Sequence, residues 1–145
     1  MEREILTYPI STEQMNDELS FMVEYFLNKG IEKCSLLFGF AWGNDYYPGN
    51  EWFDEEIELK KLVQKVRDVE ASGTGALGRD DLFIKIAGLE FRFCNDSDMH
   101  IYFSKHNKDI EFFYSRWKQQ GYQPAEWLKN QEKGPGERVG NPPEK

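Results

Sequence analysis

The segment from Asp80 to Ser104, DDLFIKIAGLEFRFCNDSDMHIYFS, constrains the fold more than any other part of the chain. Apolar residues alternate with others in three consecutive runs: Leu82, Ile84, Ile86; then Leu89, Phe91, Phe93; then Met99, Ile101, Phe103. Successive side chains of a strand point to opposite faces, so a period of two marks half-buried strands. Ala87-Gly88 and Asn95-Asp96-Ser97-Asp98 separate the runs, and both are turn sequences. Connections this short join antiparallel neighbours, because a parallel pair needs a crossover of a dozen residues or more. The three runs therefore predict an antiparallel meander.

The flanking segments supply helices and further strands. Glu4 to Tyr8 suits a short edge strand closed by Pro9. Ser11 and Gln14 have capping-box spacing, and Met15, Leu19, Met22, Val23 and Phe26 follow on one helical face before Gly30. Cys34 to Trp42 is a nearly continuous apolar run containing Gly39, which predicts a central strand covered on both faces. Gly39 and Gly43 invite close approach by another backbone or a ligand. A second helix is expected from Phe53 or Asp54, with acidic residues in its first turn and Leu59, Leu62, Val63 and Val66 buried. Asn107 caps a third helix through Ile110, Phe113, Tyr114 and Trp117, and Gly121 ends it. Pro124 suits the start of a short helix over Ala125 to Lys129. The expected fold is α+β: an antiparallel sheet of the meander 80–104 plus strand 34–42, with helices mainly on one face. Residues 1–130 form one globular domain in this reading, and the Pro- and Gly-rich residues 131–145 a disordered tail.

Charge narrows the function. The net charge is −8, from 26 acidic and 18 basic side chains, which argues against nucleic-acid binding and favours a basic protein partner. No apolar run approaches the ~20 residues of a membrane helix, and the N-terminus is not a signal peptide, so a cytoplasmic location is expected. Cys34 and Cys94, the only cysteines, form no disulfide framework or zinc ribbon, and both fall in predicted strands as buried thiols.

The stretch from Gly43 to Glu58 is the most distinctive surface feature. It holds six carboxylates, Asp45, Glu51, Asp54, Glu55, Glu56 and Glu58, with no cation, and the rings of Tyr46, Tyr47, Trp52 and Phe53. Charge steers encounter and rings supply contact area, so Asp45, Tyr46, Tyr47, Glu51, Trp52, Asp54, Glu55, Glu56 and Glu58 are the candidate partner-binding residues. The plainer reading is a helix start with favourable dipole charges. Asp98 and His100 share a strand face, with Asp96 and His106 near in sequence, and Asp-x-His can give two metal ligands. A site needs three or four, so a His bonded to a carboxylate on the outer sheet face is the preferred reading, and neither metal nor cofactor is expected. Lys85, Glu90 and Arg92 are expected to form cross-strand ion pairs on one sheet face. No nucleophile elbow, phosphate loop or dinucleotide-binding glycine pattern occurs.

A small, acidic, aromatic-rich α+β chain of this kind resembles the bacterial immunity proteins that neutralise secreted nuclease toxins, including those of polymorphic and contact-dependent systems. The resemblance lies in the character of residues 1–130 and in the stretch FRFCNDSDMHIYF. It implies a non-catalytic, stoichiometric inhibitor that covers the basic active site of a cognate toxin. Two other readings stand beside it: a small metal-dependent hydrolase using Asp96, Asp98 and His100, and an adaptor that oligomerises through its sheet.

Overall fold

The computed structural model describes residues 3–39, 42–43, 46–47, 49 and 52–128. The order of elements is β1 (Arg3–Leu6), α1 (Thr12–Asn28), β2 (Lys33–Phe38), β3 (Glu55–Glu58), a 3-10 turn (Leu59–Lys61), α2 (Leu62–Ala71), β4 (Leu82–Ile86), β5 (Leu89–Phe93), β6 (Met99–Phe103), α3 (Lys108–Gln119) and β7 (Ala125–Leu128). The seven strands form one antiparallel sheet in the order β3-β2-β4-β5-β6-β1-β7, with the helices packed on one face.

The meander forms where its alternation places it. Leu82 faces Phe93 and Ile86 faces Leu89 across β4–β5; Phe91 faces Ile101 and Phe93 faces Met99 across β5–β6. Ala87 and Gly88 both take positive φ, 53° and 80°, the twist that a two-residue hairpin loop requires. The inward-pointing residues are buried, and the Phe91 ring meets Phe26 of α1 and Phe113 of α3 at centroid distances of 6.0 and 5.2 Å. That contact identifies the helix-covered face. The opposite face, with Phe83, Lys85, Glu90, Arg92, His100 and Tyr102, carries no helix among the described residues.

The helix signals hold at α1 and α3. The Ser11 hydroxyl accepts from the Gln14 N–H at 3.0 Å while the Gln14 side chain accepts from the Ser11 N–H at 2.9 Å. Asn107 Oδ1 accepts from the Ile110 N–H at 2.9 Å. Four expectations need correction. The helix expected from Phe53 or Asp54 begins at Leu62; Glu55–Glu58 instead pair with Lys33–Leu36 and make the sheet edge. An edge strand rich in charge resists pairing with other chains, and the open edge of β2 overrides the local helix preference. Ala125–Leu128 is likewise a strand, because β1 offers a free edge and Gln123, at φ 54°, turns the chain onto it; Lys129 lies outside the described residues. β1 is interior, between β6 and β7. β2 ends at Phe38 and buries Cys34, Leu36 and Phe38 while Ser35 and Leu37 stay half-buried, so it is not covered on both faces. The expected tail, 131–145, also lies outside the described residues.

Gly39 meets the sequence expectation of close backbone approach. Its N–H donates to the Asp81 carbonyl at 2.9 Å, and a Cβ there would stand 2.6 Å from the Cβ of Asp81. Asp81 in turn accepts the Asn95 N–H at 2.7 Å, which anchors the β5–β6 turn.

Candidate metal centre

The β5–β6 hairpin assembles a three-residue donor group at its turn. The register that pairs Phe93 with Met99 carries one step further, with the Cys94 N–H donating to the Asp98 carbonyl at 3.0 Å. Cys94 and Asp98 therefore stand opposite each other, one residue beyond the inward Phe93 and one before the inward Met99. The two-residue period then puts His100 on the same helix-free face. Ser97, at φ 74°, closes the turn; its N–H donates to the Cys94 carbonyl at 3.0 Å and its hydroxyl to the Gly78 carbonyl at 3.2 Å.

One donor atom each from Cys94, Asp98 and His100 lies within 4.8 Å of the others. His100 Nε2 is 3.1 Å from Asp98 Oδ1, and its Nδ1 is 2.7 Å from Glu4 Oε1 on β1. Asp98 and Glu4 are buried, 5% and 7% exposed, and the His100 side chain is 12% exposed. Burial opposes a charge on His100, but hydrogen bonds to Asp98, Cys94 and Glu4 outweigh it and push the imidazole pKa up to about 11. Burial pushes the Cys94 thiol up, with His100 acting against it. Asp96, in the turn, is raised by its hydrogen bond to Asp98 and by burial.

The donor set fits a zinc-class ion. Thiolate, imidazole and carboxylate are zinc's ordinary ligands, and atoms sharing one tetrahedral ion at about 2.0–2.3 Å stand about 3.5 Å apart. The three donor atoms, within 4.8 Å of one another, draw closer together to reach that spacing when they share an ion. Glu4 completes the pattern from behind: a metal-ligating His commonly gives its other ring nitrogen to a carboxylate, which fixes the tautomer and aims the ligating nitrogen.

The Asp96/Asp98/His100 trio proposed from spacing is thus changed in one member, Cys94 for Asp96. His106 is elsewhere, beside Glu126 at 3.0 Å. The sequence places Cys94 only in a strand, as a buried thiol; it is half-buried, and extending the hairpin register by one residue sets it against Asp98. Glu4 carries no such signal, since its strand joins the meander from about 95 positions away.

The acidic–aromatic stretch is built differently. Tyr47 is 1% exposed, and its oxygen accepts the Phe38 N–H at 2.9 Å. Tyr46 donates to Glu55 at 2.6 Å, and Trp52 packs partly buried against the core. Lysines from outside the stretch reach the carboxylates: Lys65 to Glu55 at 3.4 Å, Lys85 to Asp54 at 3.0 Å, Lys60 to Glu58 at 3.8 Å. Glu56 and Phe53 are exposed. Asp45 and Glu51 lie outside the described residues. Lys85, Glu90 and Arg92 share the outer face, but the expected cross-strand ion pairs are not what forms among the described residues: Glu90 pairs with Arg92 along the same strand at 2.7 Å, and Lys85 turns to Asp54.

No family model, no curated protein and no solved structure matches the chain. The expectation of a non-catalytic, immunity-type binder is corrected by the Cys94/Asp98/His100 group. A half-buried thiol, a buried carboxylate and an imidazole whose ligand atoms lie within 4.8 Å of one another are suited to hold a metal ion, and they favour the metal-dependent alternative. Among the described residues no helix is long and apolar enough to cross a membrane.

Proposed function

We propose that this protein holds a zinc-class divalent ion through Cys94 Sγ, Asp98 and His100 Nε2, and that the centre serves metal-assisted hydrolysis. The observation that carries the reading is the convergence of the three donors with Glu4 on the far nitrogen of His100. Catalytic zinc sites use three protein ligands, whereas structural sites close with four, and the three donors found among the described residues match the catalytic number. Such an ion would supply Lewis acidity and lower the pKa of a water at the site. The chain's own part is to fix the donors on a rigid hairpin, to orient His100 through Glu4 and to shield the group by burial. A thiol ligand and a second free thiol at Cys34 suit a reducing compartment, in keeping with a cytoplasmic location.

The test is zinc uptake by the full chain purified under reducing conditions. After equilibrium dialysis, about one zinc per chain is expected, falling to background in His100→Ala and Cys94→Ala. Equal uptake by wild type and both variants would show that the zinc sits elsewhere.

A further inference from the structure

The outer face places a cation beside this centre. Arg92 on β5 lies directly opposite His100 on β6 and shares its face. Its guanidinium carbon sits 4.2 Å from the centre of the Tyr102 ring and 5.1 Å from that of Phe83. Tyr102 in turn lies nearly parallel to His100, with 5.9 Å between ring centres and 9° between planes. Glu90 accepts from Arg92 Nε at 2.7 Å, which uses one of the five guanidinium donors. Arg92 is therefore packed against two rings and bonded at Nε, on a partly exposed face that it shares with His100. A planar fork preset in this way matches two oxygens of an oxyanion at small entropic cost.

Resting on the zinc-site reading, we infer that the substrate carries an oxyanion group, carboxylate or phosphate, which Arg92 binds while the adjacent part of the molecule meets the metal. Arg92 is then a specificity-determining residue, and Phe83 and Tyr102 position it. Glu90 competes with the substrate for the guanidinium, so removing its charge leaves anion binding intact or tightens it.

Calorimetric titration of inorganic phosphate and, separately, acetate into the zinc-loaded full chain tests this. Whichever binds more tightly identifies the substrate's oxyanion, and either outcome supports the inference. Arg92→Gln is expected to weaken that binding about tenfold or more, as loss of a charge-assisted pair requires, while zinc affinity stays unchanged. Glu90→Gln keeps or tightens anion binding. If the Arg92–Glu90 pair only supports the sheet, both variants shift thermal stability alike and neither changes anion binding selectively. That result, or an absence of phosphate and acetate binding with zinc bound, overturns the inference and leaves the metal centre standing. Failure of zinc to bind the wild type removes both.

Discussion

Two groups of buried charge sit on opposite sides of the sheet and are made from opposite kinds of partner. Under the helices, Glu18 of α1 is 2% exposed; Arg116 Nη2 donates to it at 2.7 Å and Trp117 Nε1 at 3.1 Å. Tyr122 also reaches it at 3.4 Å, and burial together with Glu18 pushes that phenol up to about 12. On the outer face, Glu4 and Asp98 flank His100, with Cys94 alongside. Arginine cannot give up its proton in a protein, and an indole N–H only donates, so Glu18 is held by groups that a metal cannot replace. His100 and Cys94 each trade a proton for a lone pair. The first group is a permanent strut between two helices; the second can exchange protons for an ion. What separates a structural charge cluster from a candidate centre is thus the number of convertible donors, since both are buried and both are well bonded.

Variants on each side sharpen that contrast. Phe91 separates the two groups, with its ring on the helix side and its neighbour Arg92 on the outer face. Phe91→Ala is expected to cost about 3–5 kcal/mol in a denaturant midpoint measurement, and the protein that remains folded should keep its zinc affinity. Glu18→Ala leaves Arg116 without its carboxylate. The loss should be about 3 kcal/mol, the low end for a broken buried pair because Arg116 is one-fifth exposed, again with zinc affinity unchanged. A zinc response to Glu18→Ala would erase the distinction between the clusters.

The outer group should answer in the opposite sense. With free zinc at about 100 times its Kd, the wild type should gain about 2.7 kcal/mol in stability, and His100→Ala should gain nothing. Glu4→Gln keeps the shape of the side chain but weakens its hold on Nδ1. It should reduce zinc affinity by about 10- to 100-fold in competition with a chromophoric chelator, the usual cost of losing a partner behind a metal ligand. The smallest effect belongs to the acidic edge. Asp54→Ser, Glu55→Ser and Glu56→Ser should each change stability by less than about 1 kcal/mol, because the lysine ion pairs of Asp54 and Glu55 are exposed or only partly buried and Glu56 is exposed, and none should affect zinc uptake.

The sequence made the helix side of the molecule legible and the outer face much less so. Phe91, Ile101 and Phe113 announce themselves by period, because burial repeats every second residue in a strand and along one stripe of a helix. The capping residues Ser11 and Asn107 are equally local signals. Local charge and Pro124 favour helix at Glu55–Glu58 and Ala125–Leu128; each is a strand through pairing with β2 or β1, which local preference cannot register. The candidate centre failed for a related reason. Asp98 and His100 share a strand and were visible together. Cys94 joins them only through the hairpin register, and Glu4 only through the placing of β1 beside β6. The density of carboxylates between Gly43 and Glu58 drew attention instead, although the fold brings Lys60, Lys65 and Lys85 to three of them.

The most direct test of the central claim is the absorption spectrum of the full chain loaded with Co2+, a spectroscopic stand-in for zinc. Ligation by Cys94 should give a thiolate-to-cobalt charge-transfer band that saturates at about one ion per chain, with the intense visible bands of a four-coordinate site. Cys94→Ser should abolish the charge-transfer band, Asp98→Asn and His100→Ala should weaken binding, and Cys34→Ser should change nothing. A wild-type protein that takes up no cobalt, or whose spectrum is lost with Cys34 and kept without Cys94, would contradict the assignment of this face as a metal centre.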